Sequence, residues 1–272
     1  MFLFEKCART IRHLPVLRRM NFFWDVLTPA YEYVLKLIYG NTLRRLINNT
    51  DVVYVPHCLR HFTDTYETGI WKKVMEQVLP GDTVADVGAF FGFYTFAFAK
   101  RVGRAGKVVA FEPDPHNAAF LRSIVKRYKV SRQPQIIVSA VGQAKGVSKF
   151  DAQGASTSGI IIKGIPKGEA REVECVSLDE FFANEKLDII KIDVEGYEEK
   201  VLLGAKNILM RKSGYPRAIF IEAHPYAWNN YGTTDKAIIA ILRDAGYRVQ
   251  NANGETLSVI KDYGNIIAIR LC

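Results

Sequence analysis

Thr83-Val-Ala-Asp-Val-Gly-Ala-Phe-Phe-Gly-Phe-Tyr-Thr95, followed by Val108-Val-Ala-Phe-Glu-Pro113, decides how this chain is read. A short apolar run of strand type ends in Asp86 and a Gly88-x-x-x-Gly92 turn, and a helix-like segment follows. A second apolar run ends in Glu112, 20 residues after Gly92. This is the pattern of one β-α-β unit with a nucleoside clamp: the glycines allow close backbone approach, and the strand-tip carboxylate can accept hydrogen bonds from both ribose hydroxyls.

The turn argues against a dinucleotide. That fingerprint would read Gly-x-Gly-x-x-Gly and offer a helix N-terminus to a pyrophosphate. Here an acid, Asp86, stands beside the turn, and an acid repels pyrophosphate but suits a ligand carrying an ammonium or a sulfonium. S-adenosylmethionine fits. Phe90 is the anomaly, a bulky aromatic inside the turn.

The chain has 272 residues, enough for one α/β domain and an extension. Its 37 Lys and Arg against 28 Asp and Glu leave a net charge of +9, spread along the chain rather than blocked, so a dedicated nucleic-acid groove is not expected. The four cysteines form no Cys-x-x-Cys pair, which points to a reducing, cytoplasmic compartment without zinc or a disulfide framework. No segment reaches the roughly 18 apolar residues a spanning helix needs. The first 50 residues carry eight Lys and Arg against three acids, with Phe22, Phe23, Trp24, Tyr31, Tyr33 and Tyr39 among them. They are read as a basic aromatic helical extension (1–50) ahead of the main domain (51–272), with a helix from Pro29 to Tyr39. It either caps a domain or a neighbouring subunit in an oligomer, or makes a peripheral membrane contact.

Strands are expected at 83–88, 107–112, 135–141, 187–193, 217–223, 246–251 and 265–271, and helices at 66–78, 92–101, 115–128, 197–210 and 233–245, with a hairpin within 51–62. Such alternation gives a mostly parallel sheet covered on both faces. Between the last two strands lie Asn253-Gly254 and no clear helix, so the last strand runs antiparallel. A loop-and-strand insert covers 146–176, and its Gly154-Ala-Ser-Thr-Ser-Gly159 is a candidate lid.

Four stretches resemble the FkbM family of S-adenosylmethionine-dependent methyltransferases: Asp86–Thr95, Phe111-Glu-Pro-Asp-Pro115, Ser177-Leu-Asp179 leading to Asp188-Ile-Ile-Lys-Ile-Asp-Val-Glu-Gly-Tyr-Glu198, and Ile219-Phe-Ile-Glu-Ala-His224. They occur in the family's order across about residues 66–271, and the Lys-Ile-Asp-Val-Glu-Gly element is the most specific. The resemblance implies a Rossmann-like class I fold of seven strands, the cofactor S-adenosyl-L-methionine, and a small-molecule or carbohydrate hydroxyl as acceptor, lipid-linked glycans included. The family's turn usually reads Asp-Val-Gly-Ala-Asn-x-Gly, and Phe90 replaces the Asn.

On this basis Asp86 and the turn from Gly88 to Gly92 face the methionine half of the cofactor, and Glu112 holds the ribose. Ala89, Phe90, Tyr94, Thr95, Pro113, Ala140, Val141 and Asp193 complete the expected cofactor-binding set. Val141 packs on the adenine, or is plain core. Asp193, Glu222 and His224 end two adjacent strands and form the expected catalytic group, with His224 the better base by its reference pKa and Asp193 orienting it or taking the proton. The same acids would suffice as ligands for a divalent cation, but no metal is assigned. His57, His61, Tyr66 and Glu67 are candidates for the substrate mouth, and Tyr226 and Trp228 for stacking on a sugar. Three other functions stay open: a binding-only protein with a pocket degraded by Phe90, a nucleic-acid methyltransferase, and a nucleotide-dependent oxidoreductase, which the missing Gly-x-Gly-x-x-Gly disfavours. The second lacks the Asn/Asp-Pro-Pro-Tyr/Phe tetrad of base-amine methylation.

Overall fold

The computed structural model describes residues 33, 42–56, 65–126, 130–152, 159–161 and 169–271. The expected helix Pro29–Tyr39, His57 and His61, and most of the candidate lid at 154–159 lie outside them. By compactness the chain separates into two units, Met1–Arg44 with Val55–Phe62, and Arg45–Tyr54 with Thr63–Cys272. The elements that carry the site lie in the second. No helix among the described residues is long and apolar enough to cross a membrane.

The strand β2 (Asp51–Pro56) pairs upstream with β1 (Thr42–Ile47), so a hairpin straddles the expected boundary at 50/51, and the rest of the hairpin expected within 51–62 lies outside the described residues. The cause is the Asn48-Asn49 turn. Both residues have positive φ, 51° and 57°, and Thr50 N–H closes onto Ile47 O at 3.0 Å, the type I′ geometry that asparagine tolerates.

The main sheet contains β3 (Thr83–Val87), β4 (Lys107–Phe111), β5 (Gln135–Ile137), β10 (Ile189–Ile192), β11 (Ala218–Ala223), β12 (Tyr247–Asn251) and β13 (Gly264–Arg270). Its order is β12-β13-β11-β10-β3-β4-β5, all parallel except β13, which runs antiparallel to both β11 and β12. Strands β3, β10 and β11 are buried at every position, as both faces are covered. One face packs Ile190, Ile192, Ile219 and Ile221 against Leu202 and Ile239; the other packs Ala110 against Phe96, Leu121 and Ile124. The sheet order reverses between β3 and β10, so a crevice opens beyond their carboxyl ends.

Local chemistry sets the helices. Helix α1 (Thr68–Gln77) follows Glu67, and α2 (Phe93–Val102) follows Gly92 and is buried nearly all round. Helix α3 (Pro115–Val125) starts with Asp114 accepting from His116 N–H at 2.7 Å and proline at its first position. The short α4 (Leu178–Phe181) is capped by Ser177. The single helix expected over 197–210 is two, α5 (Glu198–Leu203) and α6 (Lys206–Leu209). Asp179 makes the break stable: its carboxylate accepts from the N–H groups of Asn207 and Ile208 at 3.0 and 2.8 Å, capping α6 from the first turn of α4. Short α7 (Pro225–Trp228) follows His224, and α8 (Asp235–Asp244) is capped by Thr234.

The strand expected over 135–141 also divides. After Ile137 the chain bends at Ser139, and β6 (Ala140–Val141) leaves the main sheet to pair in parallel with β9 (Glu169–Val176). With β7 (Gly146–Ala152) and β8 (Gly159–Ile161) they form a second sheet in the order β6-β9-β7-β8, which is the insert expected over 146–176.

Candidate functional site

The glycine turn closes onto β4. Gly88 and Ala89 N–H both donate to Phe111 O at 3.0 Å, and Phe90 N–H donates to Glu112 Oε2 at 2.7 Å. The amides that a dinucleotide site would aim at a pyrophosphate are therefore already taken. Phe90 sits in the left-handed region with φ 51°, where the usual Asn would sit without strain. The Glu112 hydrogen bond and the Phe91 ring, 4.0 Å away between centroids, hold it there against a cost of about 1–2 kcal/mol.

The glycines are required here by protein contacts, not only by a ligand. A Cβ on Gly88, φ 79°, would lie 1.7 Å from the carbonyl oxygen of Asp193; one on Gly92 would meet Leu121 Cδ2 at 2.3 Å. Ala89 packs in the core. Ala140 and Val141 are also buried, packed in the second sheet's cluster and the main cluster after the bend at Ser139. Pro113 is half-buried beside Glu112.

Three carboxylates converge at the strand tips. Asp86 is fully buried; Thr95 donates to its Oδ2 at 2.5 Å, and its Oδ1 has no hydrogen-bond partner among the described residues. Burial outweighs the Lys191 charge and the Thr95 bond and raises its pKa. Glu112 is pushed up to about 7 by burial, against the hydrogen bonds from Asp114 and Phe90 N–H and Asn117. Asp193 differs: burial acts to raise it, but Lys191, 2.9 Å from its Oδ2, holds it below the usual carboxylate range. Buried Lys191 loses stability through desolvation, yet the Asp193 and Asp86 charges keep its pKa above the ordinary value. Its ammonium also sits 4.9 Å over the Tyr94 ring.

The tips of β10 and β11 bring the expected catalytic group together. Glu222 accepts from the Tyr263 hydroxyl and is pushed up to about 7 by burial and then by the Asp193 charge. His224 Nε2 lies 3.9 Å from Asp193 Oδ1 and 3.7 Å from Glu195 Oε2, while its Nδ1 is 2.8 Å from Glu198 Oε1. Burial lowers its pKa, but the Glu198 hydrogen bond and the charges of Glu198, Asp193 and Glu195 prevail and raise it to about 9. An imidazole so held carries a proton at neutral pH, which removes the reason for preferring it as the base. Glu67, with φ 42°, accepts from Tyr94 OH at 2.7 Å, and Tyr66 packs on Phe93 at 5.4 Å, so both reach this side. The Tyr226 ring stands edge-on to His224 with its hydroxyl on Glu195, whereas Trp228 is buried.

The residue that sequence reasoning passed over is Glu198. Fully buried, it accepts from Gly196 N–H, Trp228 Nε1 and His224 Nδ1 at 2.9, 2.8 and 2.8 Å. The spacing Asp193-x-Glu195-Gly196-x-Glu198 at a strand end was the available signal.

A family model, the methyltransferase FkbM domain, matches residues 86–249, more than half of the chain. The chain belongs to the FkbM methyltransferase family. The FkbM assignment and the sheet order with its reversed β13 agree on a class I S-adenosylmethionine-dependent methyltransferase fold. Solved structures of similar shape include methyltransferase FkbM from Methylobacillus flagellatus KT, at 15% identity and TM-score 0.46, covering 74% of this chain and 51% of that one. Another is a SAM-dependent O-methyltransferase from Thermotoga maritima, at 15% identity and TM-score 0.43, covering 76% and 66%. A third is Aeropyrum pernix fibrillarin with natively bound S-adenosyl-L-methionine, at 12% and 0.41, covering 84% and 94%. This chain thus spans about half the length of the Methylobacillus protein. No curated protein matches it.

The residues present fit the family's cofactor. Asp86 Oδ1, buried and unpartnered, lacks the donor that an ammonium would supply, and Glu112 can accept from hydroxyls with its remaining lone pairs.

Proposed function

We propose that this chain transfers a methyl group from S-adenosyl-L-methionine to a hydroxyl oxygen of a carbohydrate or another small molecule, a lipid-linked sugar included. The observation that carries the reading is the junction of β3, β10 and β11, where Asp86, Asp193 and Glu222 end adjacent strands and Lys191 keeps Asp193 ionised. Asp86 and Glu112 would hold the cofactor, which supplies an electrophilic methyl group on a sulfonium. Asp193 and Glu222 then hydrogen-bond the acceptor hydroxyl, align it and receive its proton. Tyr94 and Glu67 wall the same side.

The test is a radiolabelled methyl-transfer assay on a cell extract fractionated into lipid, glycan and nucleic acid, with calorimetry of S-adenosylhomocysteine alongside. Label in glycan or lipid, lost by about 10²–10⁴-fold in Glu222→Gln with S-adenosylhomocysteine affinity kept, is expected. Label in nucleic acid, or no heat from S-adenosylhomocysteine, overturns it.

Glu112 gives the reading a pH signature. Ribose hydroxyls donate, so they bind its carboxylate and compete with its proton. S-adenosylhomocysteine affinity should rise with pH up to about 7 and level off above it. Glu112→Gln should bind weakly and without that slope. Stability moves the other way: with the folded pKa raised, the Glu112 contribution is present below its ordinary 4.5 and is lost as pH rises through about 7.

A further inference from the structure

The geometry points to a divalent-cation site formed by Asp193 Oδ1, Glu195 Oε2 and His224 Nε2. One ligand atom from each lies within 4.8 Å of the others. Nε2 stands 3.9 and 3.7 Å from the two carboxylate oxygens, too far for hydrogen bonds. Two atoms each about 2.2 Å from a shared ion, at angles of 90–120°, are about 3.1–3.8 Å apart, so a small inward shift completes coordination.

His224 is the observation that separates this cluster from a chance group of acids. It is 2% exposed, yet its Nε2 makes no hydrogen bond among the described residues. Its Nδ1 is fixed on Glu198, the arrangement that leaves the Nε2 lone pair for a metal. Glu198 is itself locked by Gly196 N–H and Trp228, so the ring cannot turn away without breaking buried bonds. The two carboxylates are similarly shared out. Asp193 gives Oδ2 to Lys191 and stands with Oδ1 3.9 Å from His224 Nε2, with Glu222 also hydrogen-bonded to its carboxyl; Glu195 is held by the Tyr226 hydroxyl.

Charge and ligand chemistry favour a hard dication. Leaving Glu222 aside, Asp193, Glu195 and Glu198 exceed Lys191 and a protonated His224 by one formal negative charge, and by two once the ring has given up its proton, as a ligand must. Two carboxylates with one imidazole and no thiolate suit Mn²⁺ or Mg²⁺, the imidazole favouring Mn²⁺. Three protein ligands leave positions open for water or a hydroxyl. The cation's role rests on the methyl-transfer reading: it would bind the acceptor hydroxyl and lower its pKa. Binding displaces the proton that the metal-free imidazole carries.

The test uses the full chain and Mn²⁺ alone, followed by electron paramagnetic resonance, with S-adenosylhomocysteine calorimetry and circular dichroism on each variant. One Mn²⁺ per chain is expected, displaced by excess Mg²⁺. Glu195→Gln is the decisive variant, because this half-exposed side chain has little part in the core. It should weaken Mn²⁺ at least 10-fold, and Glu198→Gln, acting through His224, 10–100-fold. Mn²⁺ that stays free, or that binds Glu195→Gln as tightly as the parent, overturns the site. S-adenosylhomocysteine heat without Mn²⁺ binding sinks this inference alone; bound Mn²⁺ without that heat leaves the site standing and sinks the cofactor reading.

Discussion

Gly88→Ala is expected to destabilise the protein by about 4 kcal/mol or more, or to prevent folding. The reason is a collision with backbone. The new Cβ would lie 1.7 Å from Asp193 O, and Asp193 N–H is at the same time bonded to Val87 O at 2.9 Å. Strand β10 can yield only by giving up that bond at the tip of its pairing with β3. Asp193 would move with it, so whatever protein folds should also lose its site. Part of the loss is conformational, since φ is 79°. Gly81→Ala isolates that part. Gly81 has φ 87° and nothing within 4 Å of its would-be Cβ, so its replacement should cost only about 1–2 kcal/mol. Urea unfolding of the two variants measures the difference. Midpoint stabilities within 1 kcal/mol of each other would show that the tip relaxes freely, and that the β3–β10 junction is not rigid.

What could be read in advance followed from signals that are local. The run 83–88 is mainly apolar, Asp86 apart, because both faces of a central parallel strand are covered, and Glu112 and Asp193 follow such runs at the ends where a crevice must open. The reversed last strand was legible because a dozen residues without helical pattern cannot make a parallel crossover. What failed to show depends on partners. An apolar run over 135–141 announces a strand but not which sheet it joins, and the bend at Ser139 sends Ala140 and Val141 to β9. Helical pattern over 197–210 conceals a break whose stabilising cap, Asp179, is 28 residues upstream. Ser177-Leu-Asp179 carried the family resemblance, and the Ser177 and Asp179 side chains cap two helices. The preference for His224 as base came from a reference pKa, and only the fold reveals Glu198 beneath the ring. For Phe90 the converse holds. Its residue type argued against a left-handed turn, but the hydrogen bond from its N–H to Glu112 keeps the turn in that conformation.

Glu198→Ala should be the most damaging substitution of an ionisable residue, costing about 3–5 kcal/mol and lowering Tm by on the order of 10 °C. Glu198 has no exposed surface and satisfies three donors that have no access to water: Gly196 N–H, Trp228 Nε1 and His224 Nδ1. Removing the carboxylate leaves all three unpaired, which costs more than the bonds themselves contribute. This attribution can be separated from simple loss of volume. If unpaired donors set the cost, then Trp228→Phe, which deletes one of them, should soften the second substitution, and the pair should cost at least about 1 kcal/mol less than the sum of the singles. A cavity alone would give additive losses. Glu198→Gln should fall between, since an amide oxygen still accepts while its nitrogen opposes one of the remaining donors. Thermal unfolding of the parent and these four variants decides between these outcomes. An additive pair, or a Glu198→Ala protein within 1 kcal/mol of the parent, would mean that water or rearrangement satisfies these groups. The ring of His224 would then owe its orientation to something other than Glu198.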